Sequence, residues 1–313
     1  MKIVSILVPC FNEEAVLPLF FDAISGLMQQ PDYEWRLLCV DDGSTDATLE
    51  LMKKAREKDP RISYLELSRN FGKETAMMAG LDYVEGDCVV LMDADLQHPV
   101  DVIPQMIEKW EEGYEDVYAC RITRGSESWL RKASTRLYYK LLQAGANNNV
   151  YPNVGDFRLL DRVCIEALKL LRESNRYTKG LYGYIGFRKT FVTFRTADRA
   201  AGSSKMSAGS LAGLALDGLL SSSVKPLRFA AYTGLLVSAC AFAYMVFVFV
   251  KTLFYGDPVR GYPTLVILIL FLGGIQLFAL GVLGEYVGRI FTESKKRPNY
   301  FVRTLNGEKP TAQ

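Results

Sequence analysis

Histidine is almost missing from this chain: His98 is the only one in 313 residues. A His-rich metal cage is excluded, and any Ser-His-Asp triad would have to be built on His98. C-x-x-C pairs are absent as well. The six cysteines (Cys10, Cys39, Cys88, Cys120, Cys164 and Cys240) are scattered, several within short apolar runs, and are expected to be reduced, buried thiols of a cytosol-facing domain. Neither sign of charge is in excess, with Lys+Arg 37 against Asp+Glu 35. A dedicated nucleic-acid binder would carry a basic face, so no nucleic acid is expected as a partner. No secretory signal leads the chain, because the apolar run 3–8 passes at once into polar residues, and the domain is expected to stay on the side where it is made. Internal repeats and low-complexity tracts are also absent.

What is present falls into two parts. Across the first two-thirds, apolar runs at 3–8, 35–40, 62–67, 88–92 and 117–120 have the length and the Val, Ile, Leu and Cys content of buried parallel strands. Helix-like stretches at 14–27, 45–58, 74–84 and 100–112 lie between them. Such alternation predicts an α/β, doubly wound sheet. These sheets bind ligands beyond the carboxyl ends of their strands, so the polar residues after each strand are where chemistry is expected.

The last third changes character. Residues 229–250 contain no charge, nor do 262–284. Each would span roughly 33 Å as a helix, enough for the hydrocarbon core of a bilayer. A buried hairpin of a soluble protein is the alternative, but the length and lack of charge favour two transmembrane helices. Lys225 and Arg228 precede them, and Arg289, Lys295, Lys296 and Arg297 follow. The positive-inside rule then puts both flanks in the cytoplasm. Glu285 and Arg289 are spaced to pair along the helix end. Residues 207–224, with leucines at 211, 214, 216, 219 and 220, suit either a helix in the headgroup plane or one packed on the sheet domain. Residues 307–313 read as a frayed tail.

Three segments carry candidate chemistry. After the second strand stands Asp41-Asp42-Gly43-Ser44-Thr45-Asp46. A tight turn at Gly43 and a helix cap at Ser44 or Thr45 explain part of it; two adjacent carboxylates at a strand end suit hydrogen bonds to a base or ribose. After the fourth strand stands Asp93-Ala94-Asp95-Leu96-Gln97-His98-Pro99. Its two spaced acids can share a hard divalent cation with phosphate oxygens, and Gln97 adds a neutral oxygen. His98 is read as a packing residue at a helix start. A bare D-x-D is common by chance; its place at the end of an apolar strand raises its weight. Near the middle stands Val154-Gly155-Asp156-Phe157-Arg158. Here Gly155 is expected to allow an irregular turn; Asp156 either pairs with Arg158 or sits beside an acceptor. The basic run Arg121, Arg124, Arg131, Lys132 and Arg136 is either a solvated face or a phosphate grip.

These segments, in this order, resemble glycosyltransferase family 2, and within it the bacterial bactoprenol (undecaprenyl-phosphate) glucosyltransferases related to dolichol-phosphate mannose synthases. The likeness runs over nearly the whole chain and includes Pro9-Cys10-Phe11-Asn12-Glu13, Arg69-Asn70-Phe71-Gly72-Lys73-Glu74, the segment from Arg199 to Lys205, and Gly284-Glu285-Tyr286-Val287-Gly288-Arg289. Single motifs are generic; their order together with two C-terminal spans is specific.

The resemblance implies a GT-A (Rossmann-like) catalytic domain over 1–200, membrane-interface helices over 201–228, two transmembrane helices over 229–287 and a cytoplasmic tail over 288–313. It implies Pro9, Phe11, Glu13, Asp41, Asp42 and Asp93 around the nucleotide. Asp93, Asp95 and Gln97 would hold Mg²⁺ or Mn²⁺. Asp156, with Asp95, takes the catalytic position, and Arg121, Arg131 and Lys205 lie near the lipid phosphate. The implied reaction is inverting transfer of a sugar, first of all glucose from UDP-glucose, onto undecaprenyl phosphate at the cytoplasmic face of a bacterial inner membrane. The same class with mannose, an amino sugar or a modified arabinose is the alternative, and a non-catalytic nucleotide-binding membrane module the one of a different class. Two spans are too few for a processive synthase. Glycines 273, 274, 281, 284 and 288 would permit close helix contacts in a homo-oligomer.

Overall fold

The computed structural model describes residues 1–121, 154–174, 176, 178–194 and 261–309, with single positions between 232 and 254. Five strands alternating with four helices open the chain: β1 (Ile3–Cys10), α1 (Leu17–Met28), β2 (Glu34–Asp41), α2 (Thr48–Lys58), β3 (Ile62–Leu67), α3 (Lys73–Tyr83), β4 (Cys88–Leu91), α4 (Ile103–Glu111) and β5 (Asp116–Arg121). After them come β6 (Val154–Asp161), α5 (Arg162–Leu170), α6 (Thr178–Tyr184), β7 (Lys189–Phe194), the long α7 (Tyr262–Ser294) and β8 (Val302–Leu305). All eight strands form one sheet in the order β7-β5-β6-β4-β1-β2-β3-β8. The block β4-β1-β2-β3 is parallel throughout, as the apolar runs predict.

Alternation along each strand builds two cores. From β1, Val4, Ile6, Val8 and Cys10 enter one cluster with α1, α2 and α4, while Leu7 enters the other with α3 and α5. β4 divides in the same way, Cys88 and Val90 to one face, Val89 and Leu91 to the other. The second face is packed tightly against its helix. A Cβ at Gly80 of α3 would stand 2.3 Å from a methyl of Leu7, so glycine there lets the helix settle on the sheet. Four cysteines (Cys10, Cys39, Cys88 and Cys164) are buried free thiols, as expected; Cys120 is half-buried and Cys240 exposed.

Two expectations change. Gly155 does not make a turn but lies inside β6, which runs antiparallel to β4. Arg158 does not pair with Asp156; it is buried and donates from Nη1 to both oxygens of Asp116 at 3.1 Å, with its guanidinium 3.4 Å over the Tyr182 ring. Beyond the last helix the chain adds a strand, and of the tail expected over 307–313 only 307–309 lie within the described residues. β8 pairs antiparallel with β3, the Tyr64 N–H donates to Asn306 Oδ1 at 2.9 Å, and Glu308 bridges back to Leu305.

α7 runs for 33 residues, roughly 50 Å of helix, well beyond the uncharged stretch that ends at Gly284. Within it Phe271–Ser294 is the one segment among the described residues long and apolar enough to cross a membrane, and none of its most apolar window is buried against protein. The described positions from 232 to 254 are all helical. Residues 201–228 lie outside the described residues.

Candidate active site

Strand ends bring the acids together. The ladder of β4 with β6 ends with Leu91 against Arg158, and Asp93 and Asp156 follow just beyond that last pair, two residues further on each side. Acids 63 positions apart in sequence are thus brought to the same end of the sheet. Between the two carboxylates stands Lys73, the first residue of α3, with Nζ 2.6 Å from Asp93 Oδ1 and 3.1 Å from Asp156 Oδ2.

The D-x-D loop is held open toward solvent. Ala94 is buried, while Asp93 and Asp95 on either side of it are half-buried. Asp95 Oδ1 accepts the Gln97 N–H at 3.1 Å, and Leu96 is driven to φ +56. A left-handed Leu costs of order 1 kcal/mol or more, and strain of this kind persists where a loop must present its side chains in one way. His98 supports the loop from below: its Nδ1 accepts the Asp93 N–H at 3.2 Å and its ring stacks on Phe157 at 4.7 Å. Burial lowers the His98 pKa below its usual value, against the pull of Asp93 and Asp95, so the ring is the neutral acceptor this bond needs. It packs, as its sequence position suggested.

Asp156 is a carboxylate. Burial pushes its pKa up, but the Lys73 and Lys179 charges outweigh burial and the net shift is downward. For Lys73, burial alone would lower the ammonium; Asp93 and Asp156 reverse the sign and raise it. Asp156 Oδ1 has no hydrogen-bond partner and is shut off from solvent. An orphan acceptor beside a surface-reaching pair of acids is an invitation to a donor that arrives with substrate.

The loops after β1 and β2 interlock next door. The Asn12 N–H donates to Ser44 Oγ at 3.0 Å, the Thr45 N–H to Asn12 Oδ1 at 2.8 Å, and the Glu13 N–H to Thr48 Oγ1 at 2.8 Å. Pro9, Phe11 and Glu13 are half-buried along this edge. Asp41 is buried and takes the Ser44 N–H; burial raises its pKa, with neighbouring Glu66 adding to the rise. Asp42 accepts the N–H groups of Phe71 at 2.7 Å and Gly72 at 2.9 Å, which pins the loop leading into Lys73. Gly43, at φ +68, lets the backbone of Arg69 and Asn70 approach to where a Cβ would stand 2.5 Å from the Arg69 carbonyl carbon. Arg121 is exposed at the end of β5; Arg131 and Lys205 lie outside the described residues.

A divalent cation fits the donor set. Asp93 and Asp156 already share one cation, and hard carboxylate oxygens suit Mg²⁺ or Mn²⁺. Among the described residues no three acids, histidines or cysteines gather tightly enough to cage a metal unaided. Diphosphate oxygens and water would have to complete its shell, as is usual for Mg²⁺. Lys73 is the member of the site that the spacing of acids did not single out; its ion pairs with Asp93 and Asp156 reveal it.

A largely parallel α/β sheet, with paired acids beyond the carboxyl end of β4 and an antiparallel strand bringing a third, is the GT-A arrangement of glycosyltransferases. Residues 5–168 match the model of glycosyl transferase family 2, and the chain belongs to that family. Residues 225–290 match the GtrB C-terminal hairpin. The bactoprenol glucosyl transferase of Shigella phage SfV is 43% identical over 97% of this chain and 98% of its own. The prophage bactoprenol glucosyl transferase homolog of Escherichia coli K12 is 42% identical over 97% and 99%. Among solved structures, the glucosyl-3-phosphoglycerate synthase of Mycobacterium tuberculosis aligns at 22% identity over 71% of this chain and 80% of that one, with a TM-score of 0.47.

Proposed function

We propose that this chain transfers glucose from UDP-glucose to undecaprenyl phosphate at the cytoplasmic face of a bacterial inner membrane. The observation that carries the reading is the convergence of Asp93 and Asp156 on one cation at the carboxyl end of β4, in a chain whose full-length relatives are named for bactoprenol glucosyl transfer. The hairpin match and the one span within α7 support association with the membrane; a second crossing helix, with the segment before it and the β8 segment on one side, belongs to the proposal.

Pro9, Phe11, Glu13, Asp41 and Asp42 line or brace the nucleotide side. Asp93, Asp95 and Gln97 would hold Mg²⁺ or Mn²⁺, which when bound offsets the charge of the departing diphosphate. Arg121, Arg131 and Lys205 are the residues for the lipid phosphate. In the reaction a lipid phosphate oxygen forms a bond to the anomeric carbon as the bond from that carbon to UDP breaks on the opposite face. A phosphate monoester has its second pKa near ~6 and is largely dianionic at neutral pH, so the nucleophile needs little deprotonation. Asp156, held ionised by Lys73 and Lys179, orients groups and balances charge at that moment. Purified protein should be incubated with undecaprenyl phosphate and a panel of nucleotide-sugars, and the lipid product weighed. A mass gain of one hexose from UDP-glucose alone is expected; gain from GDP-mannose, a UDP-amino sugar or modified arabinose instead would redirect the donor. No lipid product from any donor would return the chain to a nucleotide-binding module.

A further inference from the structure

Lys73 has no role in the chemistry above beyond its charge, yet its placement is specific. Its backbone is fixed on both sides. Asp42 clamps the N–H groups of Phe71 and Gly72 before it, and Glu74 after it accepts both the N–H and the hydroxyl of Thr178. Its side chain, by contrast, is 44% exposed and reaches the acids from the solvent side on a flexible stem. The flanking residues are tied, while the flexible stem leaves the ammonium able to move.

Without that ammonium, the two carboxylates that now share it, Asp93 and Asp156, would be left close together as like charges, which repel. With it, Asp93 Oδ1 is already occupied by a cation at 2.6 Å. A divalent ion arriving at Asp93 meets a positive charge within a few ångströms, and the two repel. Sharing that oxygen would cost the two cations this repulsion, so they compete for it.

We propose that Lys73 is a resident counter-ion that holds Asp93 and Asp156 together before substrate arrives, competes with the divalent ion for Asp93, and gives up Asp93 while keeping Asp156 when donor and metal bind together. Lys73 is thus a positioning residue that makes tight metal binding depend on the diphosphate. The idea rests on the metal reading given under the proposed function, and the test separates the two.

Mn²⁺ binding to the full chain in detergent, followed by the paramagnetic signal of free Mn²⁺, provides it. In the absence of nucleotide, Lys73→Met and Lys73→Gln should bind Mn²⁺ at least about tenfold more tightly than the parent, because a competing charge is gone. Lys73→Arg should stay near the parent. Added UDP should narrow the gap, since diphosphate oxygens supply what Asp93 alone cannot. Saturating Mn²⁺ should also raise the melting temperature of Lys73→Met more than that of the parent. Equal or weaker Mn²⁺ binding by both neutral variants, with binding abolished in Asp93→Asn, would overturn the exchange while leaving the metal site standing. Neutral variants that fail to fold even with Mn²⁺ would make Lys73 a structural strut and overturn it too. No Mn²⁺ bound by any form, even with UDP, would remove the metal reading and this proposal together.

Discussion

Asp156 decides more by what it orients than by its basicity. Its ionised state is set by Lys73 and Lys179 against burial, and its Oδ1 waits without a partner. If orientation is its task, Asp156→Asn keeps the shape and one acceptor, and turnover should fall by less than about tenfold. Asp156→Ala should then lose about 10² or more, the scale of a removed preorganised contact. Steady-state rates across pH check this; equal collapse of both variants with a shifted pH profile would make Asp156 a base. Asp93, Asp95 and Asp156 were legible as motifs in the sequence, because carboxylates beside apolar strand residues add nothing to a core. Lys73 was not, since a lysine opening a helix is ordinary until the fold puts its ammonium between two acids 63 positions apart.

Elements explain what the residues cannot do alone. The loop after β2 passes under the loop after β3 with no room for a side chain at Gly43, whose φ is also positive. Gly43→Ala should destabilise by about 2–4 kcal/mol from left-handed strain plus overpacking, with a matching loss of activity; denaturant unfolding measures it. The parallel strands were readable because each is a continuous apolar run. β6 was hidden by Asp156 and Arg158, polar residues that a buried strand tolerates only because Asp116 stands across the ladder to neutralise the guanidinium. β8 was hidden for another reason: Val302-Arg303-Thr304-Leu305 is short, and its polar residues face Glu66, which takes bonds from Arg303 at 3.2 Å and Thr304 at 2.9 Å. Removing residues 301–313 strips β3 of its outer partner, makes it an edge strand and leaves Glu66, next to Asp41 in the ladder, without those donors. The truncated protein should melt several degrees lower, since even about 1 kcal/mol moves the midpoint by 2–4 °C in a domain of this size, and should aggregate more readily.

At the scale of the whole molecule, the chain leaves the sheet domain, runs through the hairpin region and returns along α7 to add the last strand. The return joins helix and enzyme at more than one point. Tyr300 donates to Asp82 of α3 at 2.6 Å, Arg172 pairs with the same carboxylate, and the Ser174 N–H donates to Glu293 near the foot of α7 at 3.1 Å. An apolar span and a catalytic edge held in one frame are what a reaction between a soluble nucleotide-sugar and a lipid-borne phosphate requires. Charge patterning made the span legible in advance; its docking onto the sheet domain depends on contacts between residues 119 and 218 positions apart, which periodicity does not report.

The most direct test is turnover of Asp93→Ala and Asp95→Ala with UDP-glucose and undecaprenyl phosphate across a Mn²⁺ titration. Loss of roughly 10² or more in rate at every metal concentration is predicted for both, on the scale of a removed electrostatic stabiliser of the transition state. Near-parental turnover that still needs metal would place the cation elsewhere and contradict the account.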